Sequence, residues 1–337
     1  MEKIGTKERI ENLNKAKILL SIPNYITELW DTERKIKLYT GIRELCSTKS
    51  KKNEETLVQK AISSMDDKLR NFDYEIEGVE NIPSNGAIFA FNHSNAHDAI
   101  TLLQVLSKLG LPISILVTKE GVSPLIRLLY KSAKFTIIDR TDKESCLDGT
   151  VDVISKLMSG GYVAIAPEST WNLHPIKPMQ NIKLGVSKIS AITQTEIVPT
   201  IMEYVEVPKL CQKEDELYTK CVIKFGKPIK AEFDENIFFF TDELQRRMES
   251  MRRNIWTQNG IQRETLSDVN PSLYVNHTGL KVGLGSKSVA AFDYEREKSN
   301  ILVKNGETRE FMYTIDKNGD FVPGELKEEV FVKTLKL

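Results

Sequence analysis

The stretch Gly86–Gly110 reads "GAIFAFNHSNAHDAITLLQVLSKLG". Its first part, "AIFAF", is a short continuous apolar run of the kind that forms a strand buried on both faces. Its last part, "DAITLLQVLSKLG", repeats apolar residues at three-to-four spacing and closes on Gly110, as an amphipathic helix does. Between them lies a polar knot, "FNHSNAHDA" (91–99), with two of the four histidines of the chain. A strand that runs through a polar turn into a helix is the repeating unit of an α/β sheet.

The same alternation continues outward. Strand-like "ISILVT" is followed by helical "SPLIRLLYKS", strand "FTIID", helix "ESCLDGTVDVISKLMSGG" and strand "YVAIA". Helix "NIKLGVSKISAIT", strands "EIVPTIM" and "KCVIKFGKPI" and helix "TDELQRRMESMRRNIW" then close the run. Upstream, "YEIEGVENIP" alternates like a further strand. The fold class expected is therefore α/β: a mixed, largely parallel sheet flanked by helices, over residues 73–260. Residues 1–72 read as a helical N-terminal region, with "AKILLSIPNYITELW" interrupted at Pro23 and "ETLVQKAISSM" as a second stretch. Residues 261–337 read as a small β-rich C-terminal appendage. In it "DKNGD" (316–320) suits a hairpin turn better than a calcium loop, because Lys327 stands where the bidentate glutamate would fall.

With 337 residues and 40% hydrophobic content the chain can bury a large core. Lys+Arg and Asp+Glu both number 47, and zero net charge argues against nucleic acid as the main partner. Four scattered cysteines without a CxxC pair suggest a reduced, cytoplasmic setting. The charged start "MEKIGTKERIENLNKAK" has no apolar signal-peptide core. No window reaches the roughly 18–20 apolar residues of a membrane span. Work on lipid would then proceed from the surface, by peripheral contact at the inner face of the membrane. Segments such as "SPLIRLLYKSAKF" and "AKILLSIPNYITELW" mix apolar and basic residues as interfacial helices and core helices both do.

In α/β sheets functional residues collect beyond the C-terminal ends of strands, where Asn92 and His93 fall. On one helix His93 and Asp98 would point about 140° apart. With His93 in the turn and Asp98 in the first helical turn, an Asp–His hydrogen bond can form. Such a pair fixes the imidazole tautomer, so that the other ring nitrogen can deprotonate a hydroxyl. No GxSxG nucleophile is present, which favours direct transfer over a covalent enzyme intermediate. The nonamer alone leaves two other readings open: a capped helix start, and a metal site using His93, His97 and Asp98.

Three later polar blocks follow strands in the same way: Asp139-Arg140, "PESTWN" (167–172), and Pro199 within "EIVPTIM". Together with "NHSNAHD" this ordered set resembles the glycerol-phosphate and lysophospholipid acyltransferase family. The family's blocks run Asn-His-x4-Asp, an apolar strand ending in Arg, Pro-Glu-Gly-Thr-Arg, and an apolar strand with Pro. The likeness spans roughly residues 73–230.

The resemblance implies an acyltransferase that moves a fatty acyl group from acyl-CoA or acyl-carrier protein to a hydroxyl. No cofactor or metal is implied. It makes His93 the general base and Asp98 its partner, and places Asn92, Arg140, Glu168, Ser169, Thr170, Trp171 and Lys183 at the substrates. The partners implied are the thioester donor and a glycerol-phosphate or lysophospholipid acceptor. Ser169 and Trp171 stand where the family has Gly and Arg. The lost arginine removes one fixed cation, and Trp171 offers an aromatic face, so a glycolipid-type acceptor stands beside the phosphate-bearing one. A metal-dependent hydrolase and a non-catalytic lipid-binding protein are the competing classes.

Overall fold

The computed structural model describes residues 6–47, 72–94, 98–119, 127–128, 130–131, 135–169, 172, 178–207 and 218–261, and four two-residue strands between 304 and 322. Its centre is a seven-stranded sheet in the order β1-β7-β6-β2-β5-β3-β4. The strands are β1 (Phe72–Glu77), β2 (Ala87–Phe91), β3 (Ile113–Thr118), β4 (Thr136–Ile138), β5 (Tyr162–Ile165), β6 (Ile197–Val207) and β7 (Tyr218–Phe225). Strands β6, β2, β5, β3 and β4 are mutually parallel, whereas β7 joins β6 antiparallel and β1 runs with β7. The sheet is thus mixed and largely parallel, as the alternation of elements implies.

Strand β2 lies at the centre, and all five of its residues are buried. Its side chains alternate between two cores. Ile88 and Ala90 pack with Val163, Ile201 and Val222 on one face. Ala87, Phe89 and Phe91 pack with Met202, Tyr204 and Phe225 on the other. Each fully buried Phe or Ile stabilises the fold by roughly 1.5–3 kcal/mol.

Helix α4 (Asp98–Lys108) covers the second face with Leu102, Leu103 and Leu106. The first face is covered by α5 (Lys143–Met158), α6 (Gly185–Thr193) and α7 (Ile237–Gln258). Helix α5 approaches β4 closely at Gly149, where a Cβ would sit 2.2 Å from Ile138 Cγ2. Asn236 caps α7 by accepting from the N–H groups of Phe238 and Phe239.

The N-terminal helices α1 (Thr6–Leu20), α2 (Asn24–Thr27) and α3 (Thr32–Cys46) join the first-face core rather than forming one of their own. Ala16, Leu20, Tyr39 and Ile42 are buried in it beside Ile88 and Ile154. Pro23 ends the first helix as expected, and Asp31 caps α3 through the Arg34 N–H at 2.8 Å. The stretch "ETLVQKAISSM" lies outside the described residues.

Two departures concern helix starts. The helix expected from Asn181 begins at Gly185, because Ile182 N–H donates to Gln245 Oε1 and Lys183 N–H to the Pro167 carbonyl. The last helix begins at Ile237, four residues before the periodic pattern. Beyond residue 261, β8 (Lys304–Asn305) pairs antiparallel with β9 (Glu310–Phe311), and β10 (Thr314–Ile315) with β11 (Phe321–Val322). Ile315 and Phe321 are paired across β10 and β11, whereas "DKNGD" (316–320), expected to form a hairpin turn, lies outside the described residues.

Candidate active site

The C-terminal ends of β2, β4, β5 and β6 lie on one edge of the sheet because these strands are parallel. Asn92 and His93 follow β2. Asn92 is fully buried, and its amide is spent on β6: Oδ1 accepts from Met202 N–H at 2.7 Å and Nδ2 donates to the Met202 carbonyl at 2.9 Å. Two bonds to one backbone position lock the turn onto the sheet. Asn92, placed at the substrates by the resemblance, thus holds the turn that carries His93.

His93 Nδ1 stands 3.1 Å from Asp98 Oδ2, with the His93 side chain 22% exposed and that of Asp98 fully buried. The same Oδ2 accepts from Ser94 N–H at 2.8 Å. An ionised carboxylate can only accept, so Nδ1 carries the proton and Nε2 is the basic nitrogen. Asp98 is the first residue of α4, so one carboxylate at the helix start both orients the ring and meets the Ser94 N–H of the turn. Behind it, burial and then the Asp98 charge push the phenol of Tyr204 well above its usual range. Burial does the same to the thiol of Cys221, its partner across β6 and β7.

Glu168 follows β5 and is 1% exposed. Its Oε1 accepts from His93 N–H at 2.9 Å and its Oε2 from Gln180 N–H at 2.6 Å. The His93 carbonyl accepts from Asn172 N–H at 2.7 Å, and Gln180 Nε2 donates to Asn172 Oδ1 at 3.1 Å. Burial lifts the Glu168 carboxyl to about 7, against the pull of these N–H donors and of the Arg252 charge.

Arg140 follows β4. Its guanidinium is exposed and donates through Nη1 to the Ser169 carbonyl, joining the second block to the third. Asp139 anchors this turn. Its Oδ1 accepts from Thr141 Oγ1 at 2.6 Å, and the Lys119 ammonium holds its carboxyl well below the usual range. Ser169 has φ 59°, in the left-handed region where glycine is at ease. That accounts for glycine at this place in the family pattern. Lys183 is exposed at the start of the segment leading into α6.

Thr170, Trp171, His97 and His174 lie outside the described residues. Among the described residues no group of three or more His, Cys, Asp or Glu gathers as metal ligands. Sequence reasoning missed Asn172, Gln180, Gln245 and Arg252. Of these only Asn172 carried a local signal, as the last residue of the quoted third block.

A histidine at the carboxyl edge of a parallel sheet, oriented by a buried aspartate, is an arrangement with the geometry general-base chemistry requires. Residues 73–203 match the family model described as Acyltransferase. No curated protein matches the sequence. Among solved structures the chain is similar to the 1-acyl-sn-glycerophosphate (LPA) acyltransferase PlsC from Thermotoga maritima. The identity is 15% and the TM-score 0.42, over 73% of this chain and 90% of that one.

Proposed function

We propose that the protein transfers a fatty acyl group from a thioester, acyl-CoA or acyl-carrier protein, to the hydroxyl of a glycerol-phosphate, lysophospholipid or glycolipid-type acceptor. The observation that carries this reading is the His93–Asp98 pair, 3.1 Å apart, at the carboxyl edge of the sheet, within the segment that matches the acyltransferase family model. His93 Nε2 takes the proton of the acceptor hydroxyl as its oxygen attacks the thioester carbonyl. The tetrahedral intermediate then collapses, the C–S bond breaks, and the proton on His93 passes to the leaving thiolate. Asp98 stabilises the imidazolium between these steps. No cofactor is required.

Arg140 and Lys183 put two exposed cations on this edge, a supply suited to phosphate groups of donor or acceptor. Ser169, Thr170 and Trp171 are assigned to the acceptor, whose class they tune. The test is thiol release by purified protein from an acyl thioester across a panel of hydroxyl acceptors. His93→Ala should lower turnover by about 10²–10⁴-fold. Unimpaired turnover would sink the mechanism, and acyl-lipid binding without transfer would favour a binding protein instead.

Cytoplasmic, peripheral action at a membrane belongs to the same proposal. No helix among the described residues is long and apolar enough to cross a membrane. Leu29 (84% exposed) and Phe239 (72% exposed) belong to two segments that meet where Ile237 N–H donates to Glu28 Oε2 at 3.3 Å. Tyr25 and Phe238, on the same two segments, are exposed as well, a supply of apolar side chains suited to a membrane interface. Wild-type protein should pellet with anionic vesicles, and a Leu29→Asp, Phe239→Asp double variant should not. Equal pelleting of the two would refute attachment at this surface.

A further inference from the structure

Helix α7 begins beyond the segment matched by the acyltransferase family, yet two of its residues reach the loop that holds the catalytic turn. Gln245 and Arg252 are seven positions apart, so they share one face, about 10 Å apart along the axis. Gln245 Oε1 accepts from Ile182 N–H at 3.1 Å. Arg252 Nη1 donates to the Pro178 carbonyl at 2.5 Å and its Nε to Glu203 Oε2 at 2.6 Å. The segment 178–182 therefore hangs from α7 at both ends.

Its middle residue does the work. Gln180 N–H meets Glu168, and the Gln180 side chain meets Asn172. Glu168 and Asn172 in turn hold the two backbone groups of His93, N–H and carbonyl respectively. The chain of contacts runs without a gap from α7 to the backbone of the base.

We propose that Arg252 and Gln245 are positioning residues, by which α7 sets the place of the His93 backbone through Pro178–Ile182, Glu168 and Asn172. This rests on the reading of His93 as the base. The arginine suits the task. Arg252 and Glu203 are each 2% exposed, and a buried ion pair is seldom more stable than the apolar side chains that would fill its volume. What an apolar side chain lacks is a directed donor for the Pro178 carbonyl.

The Arg252 charge has a second effect, since it favours the ionised form of Glu168. The clamp needs that form, because both carboxyl oxygens accept N–H bonds. The other charged groups around Glu168 are His93 with Asp98 on the β2 turn, Glu203 on β6, and Arg140 against Ser169. Lys183 lies just beyond Ile182.

Thiol-release kinetics between pH 5.5 and 9 test the proposal with Arg252→Met, Arg252→Lys and Gln245→Leu. Arg252→Met should lower kcat by about tenfold to a hundredfold with KM for the thioester within about threefold, as a small misplacement of a base does. Its acid limb should move to higher pH. Arg252→Lys should return the limb and part of kcat. Gln245→Leu, which leaves the ion pair in place, should lower kcat by a smaller factor at unchanged KM and limb. If Arg252→Met fails to fold, Gln245→Leu decides alone, and an unchanged kcat overturns the proposal. So does a folded Arg252→Met with wild-type kcat and limb, or a change in KM only. A His93→Ala variant that keeps its turnover refutes the base, whereas an inactive His93→Ala beside unaffected α7 variants refutes only this proposal.

Discussion

Asp98 and Glu168 both end on the same short turn, and both are buried carboxyls, but they belong to different regions of the chain. Asp98 opens the helix five residues after His93, whereas Glu168 arrives from the loop after β5, seventy-five residues away. The near one takes the His93 ring and the Ser94 N–H; the far one takes the His93 N–H and the Gln180 N–H. Ring orientation is thus a local matter, and backbone placement a matter of tertiary packing. Substitution at the two carboxyls should then damage different quantities.

The largest effect is expected at Asp98. In Asp98→Asn the side chain can still accept from Ser94 N–H through its oxygen, but its NH₂ then faces His93 Nδ1. That reverses the tautomer and turns Nε2 into a donor. Turnover should fall by about 10²–10⁴-fold with little change in KM. Retention of more than about a tenth of wild-type kcat would break the distinction between the two carboxyls.

Glu168→Gln should cost less, about tenfold in kcat, because an amide oxygen can accept only one of the two N–H groups well. Here pH gives a sharper readout. The ordinary carboxyl value is 4.5, and burial raises Glu168 to about 7, so the folded protein holds this proton more tightly than the unfolded chain. Between those two values the native state binds more protons, and the contribution of Glu168 to stability falls as pH rises through the window. Activity runs the opposite way, since the ionised form makes the clamp. Urea midpoints at pH 5, 6 and 7.5 should therefore drop more steeply for wild type than for Glu168→Gln. Parallel curves would show that Glu168 carries no raised affinity for its proton.

The contrast between the two carboxyls also marks what a sequence can tell. Asn92, His93 and Asp98 stand between an apolar run and an amphipathic helix, and spacing alone makes their hydrogen bond reachable. The central parallel strands were legible for the same reason, as apolar runs alternating with helical periods. The reversal of β1 and β7 was not, because strand direction leaves no trace in a pattern of period two. Nor was the union of α1 and α3 with the domain core, since an amphipathic face does not name what it packs against. The hold of Arg252 on Pro178 joins residues 74 positions apart, and in sequence Arg252 looks like any charge on an exposed helix. The late start of α6 belongs to the same class: its missing first turn is spent on Gln245 and Pro167.

The smallest expected effect lies beside the far carboxyl, at Ser169. A residue with a Cβ at φ 59° costs about 1–2 kcal/mol, and glycine there returns about 0.5–1 kcal/mol in chain entropy. Ser169→Gly should therefore stabilise by about 0.5–1 kcal/mol, a rise of a few degrees or less in Tm. Ser169→Val should lower Tm, because a branched side chain fits this backbone region worst. The Ser169 carbonyl keeps its bond to Arg140 in both, so thermal melts separate the backbone effect from loss of that contact. Kinetics then sharpen the comparison. If Ser169→Gly is more stable and equally active, the strain is incidental and the far carboxyl is held by Gln180 and His93 alone. If it is more stable but slower, the strained turn itself helps to aim Glu168, and the placement of the His93 backbone depends on this loop as well as on α7.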